Sequence, residues 1–375
     1  MRTRLIAVFT SITLLTFIGV VVACSPHSDP SAKAGKLSAA HRSMIFPSAV
    51  TVTPLPTLPA RVTRPILPTV PPDRLPTPTP QRGNPPTPDI SDVRLPRSMR
   101  HTENLLVLGS DQRDPKGPWR TDVIMVVVID RENERVGVVS IPRDLWVKIP
   151  GVGWNRINTA DFYGSLRKKK GKEPPNGVEL LKEILLQNMG IPIHHYVRVD
   201  FSAFQGIVDA LGGITVTVDC PLRDPIWDRP GRPWKLEPGE YFMNGEEVLR
   251  YVRSRHNGGD LDRARRQQRV LLAMRNRAME INLWPRIPAL YREFRDKVVT
   301  DLGPLDIIDL ARFGMRLREE NIHGFVIGRP MVRDWITPGG AMVLVPDYPK
   351  IREALDRLFE TPPLWESSDR SGRCP

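Results

Sequence analysis

Hydrophobic residues in this chain fall into two kinds of stretch. One is a single uncharged, largely apolar run over positions 5–23, behind Arg2 and Arg4. The other begins near position 100, where short apolar runs alternate with amphipathic ones. Runs at 104–108, 123–129, 136–141, 196–199, 214–218 and 322–327 are aliphatic and bounded by polar or glycine positions, which predicts strands. The polar stretch 131–134 turns the second of them into the third. Apolar positions at helical spacing predict helices over 176–189, 201–211, 244–252, 262–282, 305–317 and 348–359. Gly190 and Gly212-Gly213 stand where two of these must end, and Asp200 where one must be capped. Strands alternating with helices predict an α/β fold, a sheet with helices on both faces.

Composition divides the 375 residues further. The apolar run at 5–23 ends in Val21-Val22-Ala23-Cys24, small residues before a cysteine. It is either a lipoprotein signal that leaves Cys24 lipidated or an uncleaved single-span anchor. Either one places the rest of the chain outside the cytoplasm, tethered to a membrane. Fourteen prolines then lie between Pro47 and Pro88. Such a segment buries no core and favours extended conformations, reaching on the order of 130 Å if stiff. The expected organisation is a signal or anchor over 1–24, a proline-rich stalk over 25–99, a folded domain over 100–362 and a tail over 363–375. A formal net charge of +12 asks for anionic partners or surroundings. With three cysteines, no CxxC and no HExxH, the chain offers no zinc pattern. In an oxidising exterior Cys220 and Cys374 either pair, tying the tail to the domain, or stay apart because of their long separation.

Four constellations carry chemistry. Asp111 and Arg113 follow the end of one strand, and Arg120 and Asp122 lead into the next. Two hard carboxylates beside arginines suit a magnesium–phosphate site, though two ordinary loop aspartates paired to arginine would look the same. Arg143 and Asp144 stand just past a valine-rich strand that Pro142 stops, where the arginine grips a phosphate or simply pairs with its neighbour. Asn158 either caps a helix or offers its amide to a ligand, with capping the default. The stretch 251–269, YVRSRHNGGDLDRARRQQR, brings Arg253 and Arg255 from one helix end towards Asp260, Arg263, Arg266 and Gln267 on the next. Arg263, Arg266 and Gln267 stand at i, i+3 and i+4, so one helix face carries all three. Arg265 and Arg269 are expected to point away and be solvated.

In this order the segments NLLVLGSDQR, RTDVIMVVVID, VVSIPRDLWVKIPG, RINTADFYG, HHYVRVDFSAFQGIVDALGGITVTVDCPL, PGEYFMNGEEVLRYVRSR and DLDRARRQQ closely resemble the LytR-CpsA-Psr family of envelope proteins, over about residues 100–276. The resemblance implies a three-layer α/β/α sandwich with a central mixed sheet and a pocket for a polyprenyl chain. It implies an enzyme that moves a glycan phosphate from a polyprenyl-diphosphate carrier to peptidoglycan. Mapped onto this chain, Asp111 and Asp122 would hold Mg2+ or Mn2+. Arg143, Arg253, Arg255, Arg263 and Arg266 would hold the diphosphate, Gln267 would help fix that face, and Asp144 would orient its neighbours. The catalytic expectation rests on Asp111, Asp122, Arg143, Arg253 and Arg263. Arg113, Arg120, Asp144, Asn158, Arg255, Asp260, Arg266 and Gln267 are expected at the substrate. The expected partners are the lipid-linked glycan, peptidoglycan and membrane lipid. Export argues against nucleic acid, although the family is often labelled a transcriptional attenuator. A polyprenyl-diphosphate hydrolase, a non-catalytic glycan or lipid binder and a regulator are the alternatives.

Overall fold

The structure is a computed structural model that describes residues 81–82, 88, 90, 93–112, 118–169, 177–228, 234–255, 259–283, 285, 287–369 and 374. The signal or anchor, Cys24 and most of the stalk lie outside the described residues, as does Arg113. In chain order the strands are β1 (Gln81–Arg82), β2 (Glu103–Ser110), β3 (Thr121–Asp130), β4 (Arg135–Ser140), β5 (Trp146–Ile149), β6 (Gly153–Arg156), β7 (His195–Asp200), β8 (Ile214–Val218), β9 (Leu222–Arg223), β10 (Lys235–Leu236), β11 (Gly239–Met243), β12 (Val298–Thr300), β13 (Ile322–Val326), β14 (Val332–Ile336) and β15 (Met342–Pro346). The helices are α1 (Ala160–Lys169), α2 (Gly177–Met189), α3 (Phe201–Ala210), α4 (Gly245–Arg253), α5 (Gly259–Glu280), α6 (Ile287–Phe294), α7 (Pro304–Arg316), α8 (Tyr348–Asp356) and α9 (Leu364–Ser367).

A mixed sheet with the order β12-β7-β2-β3-β4-β13 forms the middle layer. β2, β3 and β4 are an antiparallel meander, and β7 and β13 join it in parallel on either side. Side chains alternate between the two faces. Leu106, Leu108, Ile124, Val126 and Val128 pack with Leu181, Ile184 and Leu185 of α2 and with Ile351 and Leu355 of α8. On the other face Met125, Val123 and Val127 meet Leu271 and Leu272 of α5 and Phe313 of α7. Helices thus cover both faces, and the fold is the expected α/β/α sandwich. A second core unites α3, α4, α5 and the β8–β11 ladder around Val216, Val248, Tyr251 and Val270.

Several features departed from the sequence reading. β2 runs through Gly109 and Ser110. The β2–β3 register shifts there: Gly109 faces Val123, Ser110 faces Thr121, and Asp122 is left without a partner across the ladder. α5 starts at Gly259, ahead of the expected 262. The last expected helix stops at Asp356 and gives way to a 3-10 turn over Leu358–Glu360. The β5–β6 and β14–β15 hairpins and α1 have no clear hydrophobic period in the sequence. Residues placed outside 100–362 also pack onto the domain: Met99 and Leu364 are each 2% exposed. β1 pairs in parallel with β14. Cys220 and Cys374 form a disulfide, with Cα atoms 5.5 Å apart.

Candidate functional site

Between the face of the sheet that α5 covers and α3, α4 and α5 lies a cavity of about 590 Å³. Its depth is apolar: Val107, Met125 and Val197 from the sheet, Phe204 and Ile207 from α3, Leu249 from α4, and Leu271 and Met274 from α5. Its mouth is charged, formed by Asp122, Asp200, Arg253, Arg255 and Arg263, with Gln267 on the wall. These mouth residues come from the ends of β3, β7 and α4 and the first turns of α5.

Asp122 is aimed by the irregularity at the start of β3, since an unpaired residue in a ladder turns its side chain out of the pleat. Its Oδ1 accepts a hydrogen bond from Arg143 Nη1 at 2.9 Å. Arg143 also reaches Asp260 at 3.2 Å and Asp144 at 3.4 Å. Burial works against the charge on Arg143, yet the carboxylates of Asp122, Asp260 and Asp144 hold it above the ordinary arginine value. Arg263, 4% exposed, donates to the backbone carbonyl of Asp122 at 2.9 Å and pairs with Asp260 at 3.0 Å. Burial pushes Arg263 down to about 10 against the pull of Asp260. Burial likewise raises the Asp260 carboxyl, although Arg263 and Arg143 oppose the shift. Arg255 stays exposed, 3.9 Å from Asp122 Oδ2 and 4.0 Å from Asp260. Arg253 stacks between Phe201, at 4.4 Å, and Trp227, at 5.4 Å. Among the described residues the buried Nε of Arg263 has no hydrogen-bond partner, while the Nε of Arg143 is held by its ion pairs with Asp260 and Asp144. A buried donor left without a partner is costly without a ligand or water.

Asp111 is tied across the strand ends. Its Oδ1 accepts from Arg120 N at 2.6 Å, and its own N–H donates to Arg120 O at 3.0 Å. Asp111 and the side chain of the exposed Arg120 lie off the cavity lining. Among the described residues no group of three or more His, Cys, Asp or Glu is set to hold a metal. The donor set fits Mg2+ nonetheless, because that ion is commonly held by one or two carboxylates together with substrate phosphates and water. Of the two acids, Asp122 lines the cavity, and its Oδ2 has Arg255 at 3.9 Å.

Three expectations are corrected. Arg266 does not face the cavity; it is 8% exposed, donates to the carbonyls of Tyr251 and Ser254, and borders a separate small cleft with Asp219 and Arg269. Arg269 is not solvated: it bonds Asp219 at 2.5 Å and Ser368 O at 2.6 Å. Both Arg265 and Arg269 do point away from the large cavity, as expected, and the half-buried Arg265 pairs with Asp262 at 2.8 Å. Asn158 is no helix cap, since its Oδ1 is buried and unpartnered while its backbone N–H donates to Arg143 O at 3.2 Å. Asp144 does sit beside Arg143, and also pairs with Arg156 at 3.2 Å. Arg156 lies in the short strand β6, whose sequence has no apolar alternation to mark it. The buried Asp161–Arg198 pair, at 2.8 Å, carries no local sequence signal either. It joins α1 to β7 and also bonds Trp119 and Thr121 beside Asp122.

Comparison with known proteins matches residues 81–359 to the model of the LytR_cpsA_psr family. The chain belongs to the LytR_cpsA_psr family. It is 32% identical over 217 residues to the regulatory protein MsrR of Staphylococcus aureus (strain COL), covering 57% of this chain and 61% of MsrR. It is 30% identical over 216 residues to the polyisoprenyl-teichoic acid–peptidoglycan teichoic acid transferase TagT of Bacillus subtilis (strain 168), covering 56% of this chain and 63% of TagT. The chain therefore spans about three fifths of the length of these curated relatives. The crystal structure of B. subtilis TagV superposes with a TM-score of 0.55 at 25% identity, over 70% of this chain and 99% of TagV. This LytR_cpsA_psr chain thus shares the family's sandwich across its described domain.

Proposed function

We propose that this chain is an extracytoplasmic, membrane-tethered phosphotransferase. In this reading it moves a glycan polymer, with its phosphate, from a polyprenyl-diphosphate carrier to a hydroxyl on peptidoglycan. One observation carries the reading: the same cavity of about 590 Å³ is lined by many apolar side chains and by the arginines Arg253, Arg255 and Arg263. A ligand that satisfies both parts is an amphiphile with a hydrocarbon chain and a multiply charged anionic head. TagT, by its name, acts on such a polyisoprenyl-linked polymer and on peptidoglycan. The apolar run at 5–23 supports the membrane location.

Phosphoryl transfer asks the protein chiefly for positioning and charge stabilisation. The acceptor hydroxyl oxygen bonds to the distal phosphorus and its proton passes to solvent, while the bond from that phosphorus to the bridging oxygen breaks and polyprenyl phosphate leaves. Arg143, Arg253, Arg255 and Arg263 stabilise the charge that gathers on the phosphoryl and leaving oxygens. The cavity holds the prenyl chain so that the diphosphate stops at the arginines. Asp111 and Asp122 would hold Mg2+, which when bound neutralises phosphate charge and polarises the phosphoryl oxygens.

The test is a reconstitution of the detergent-solubilised full chain with a polyprenyl-diphosphate glycan, peptidoglycan fragments and Mg2+. Polyprenyl phosphate should appear in step with glycan loss, and a chelator should stop both. Donor left intact across varied glycans would count against the reading, and chelator-insensitive turnover against the metal.

A further inference from the structure

Two of the mouth arginines are set by the end of one helix. Arg253 is the last residue of α4, Ser254 is its C-cap, and Arg255 follows. The last carbonyls of a helix have no intrahelical donor and need partners from elsewhere. Here α5 supplies them. Arg266 Nε donates to Tyr251 O at 3.2 Å, Arg266 Nη2 donates to Ser254 O, and Gln267 Nε2 donates to Val252 O at 3.4 Å. Arg266 also lies over the fully buried Tyr251 ring, 5.7 Å from its centroid. The guanidinium is nearly enclosed, and it lines the small cleft by Asp219 rather than the large cavity.

We propose that Arg266 is a positioning residue that fixes the C-terminal end of α4 and thereby aims Arg253 and Arg255 at the diphosphate without touching it. The inference rests on the phosphotransferase reading for what those two arginines meet. Two carbonyls three residues apart require two donors held at a fixed spread, which a planar guanidinium provides and a single ammonium does not. The cation also complements the negative end of the α4 dipole. Fixing the backbone matters here because both arginines have long side chains, and Arg255 is exposed. Without the clamp, binding would have to order the helix end as well as the side chains.

The experiment uses the solubilised full chain with geranylgeranyl diphosphate as the titrated probe. Arg266→Lys keeps the charge and removes the fork. It should bind the probe about tenfold more weakly, a difference of ~1.4 kcal/mol, while melting close to wild type. Added to Arg253→Ala, it should weaken binding by far less than it does alone, because residues acting through one another are non-additive. Backbone amide exchange over residues 252–255 should speed up in Arg266→Lys and not in Arg265→Lys. Wild-type affinity in Arg266→Lys, or fully multiplicative losses in the double variant, would overturn the positioning role. Unchanged exchange at 252–255 would overturn the clamp whatever the probe does. A wild-type chain that ignores the probe while the exchange contrast persists removes the phosphotransferase reading and leaves the clamp standing.

Discussion

Arg143 does not itself line the cavity, but it backs the lining residue Asp122 and meets three carboxylates, Asp122, Asp144 and Asp260, all within 3.4 Å. In the proposed reading, replacing it by alanine removes a cation from beside the diphosphate and leaves three acids uncompensated there. Arg143→Ala should therefore lower kcat/KM for the lipid-linked donor on the order of 10²-fold, as loss of one stabilising donor commonly does. Arg143→Lys should recover little, since a single ammonium cannot span the three acids. Steady-state kinetics on the folded variants checks both. At this scale the sequence was a partial guide. Arg253, Arg255, Arg263 and Gln267 were legible as wall residues because they flank a helix–helix junction. Arg266 was misplaced for a geometric reason: each residue turns a helix by about 100°, so Arg266 and Gln267, one step apart, look in different directions. Only the position of α4 decides which direction is the cavity. Nothing local to Asn158 or Arg156 signals that the main-chain path through residues 143–158 brings them beside Arg143.

Among the elements, α5 does three things with three parts of its surface. Arg263 and Gln267 face the mouth, Leu271 and Met274 line the depth, and Gln268, 1% exposed, donates to Ser140 Oγ at 2.9 Å and Phe325 O at 3.0 Å in the sheet. That contact holds the helix at a fixed height over β4 and β13, and the cavity is the space left beyond it. Leu271→Trp should fill part of the depth without disturbing the mouth. Binding of short prenyl diphosphates should then persist while longer chains lose affinity by about tenfold or more, read by calorimetry and set by lost burial of several methylenes at ~0.8 kcal/mol each. Equal losses at every chain length would place the prenyl group elsewhere. The strands of the central meander were legible because aliphatic runs bounded by turns admit few alternatives. The hairpins β5–β6 and β14–β15 were not, since charged, polar or aromatic positions interrupt β5, β6 and β14 and a proline ends β15. The cavity itself had no sequence signature: its walls read as ordinary half-buried strand and helix faces.

Across the whole molecule, the C-terminal segment is fastened beside the clamped helix end. Cys374 is bonded to Cys220, and Arg269 ties Asp219 to Ser368 and Asp369. A crosslink closing a loop of 154 residues restricts the unfolded chain strongly. Cys374→Ser should lower unfolding stability by about 2–4 kcal/mol, measured by denaturant titration, with reductant producing the same loss in wild type and none in the variant. Activity at temperatures where the variant stays folded should change little, because neither cysteine is among the residues lining the large cavity. The central claim concerns the path of one phosphate. A donor carrying a radiolabel in the phosphate nearer the glycan, incubated with the full chain and peptidoglycan, follows it directly. The account predicts that the label becomes covalently bound to peptidoglycan together with the glycan, with unlabelled polyprenyl phosphate released. Label recovered as soluble glycan phosphate, with none on peptidoglycan, would contradict it and make the protein a hydrolase.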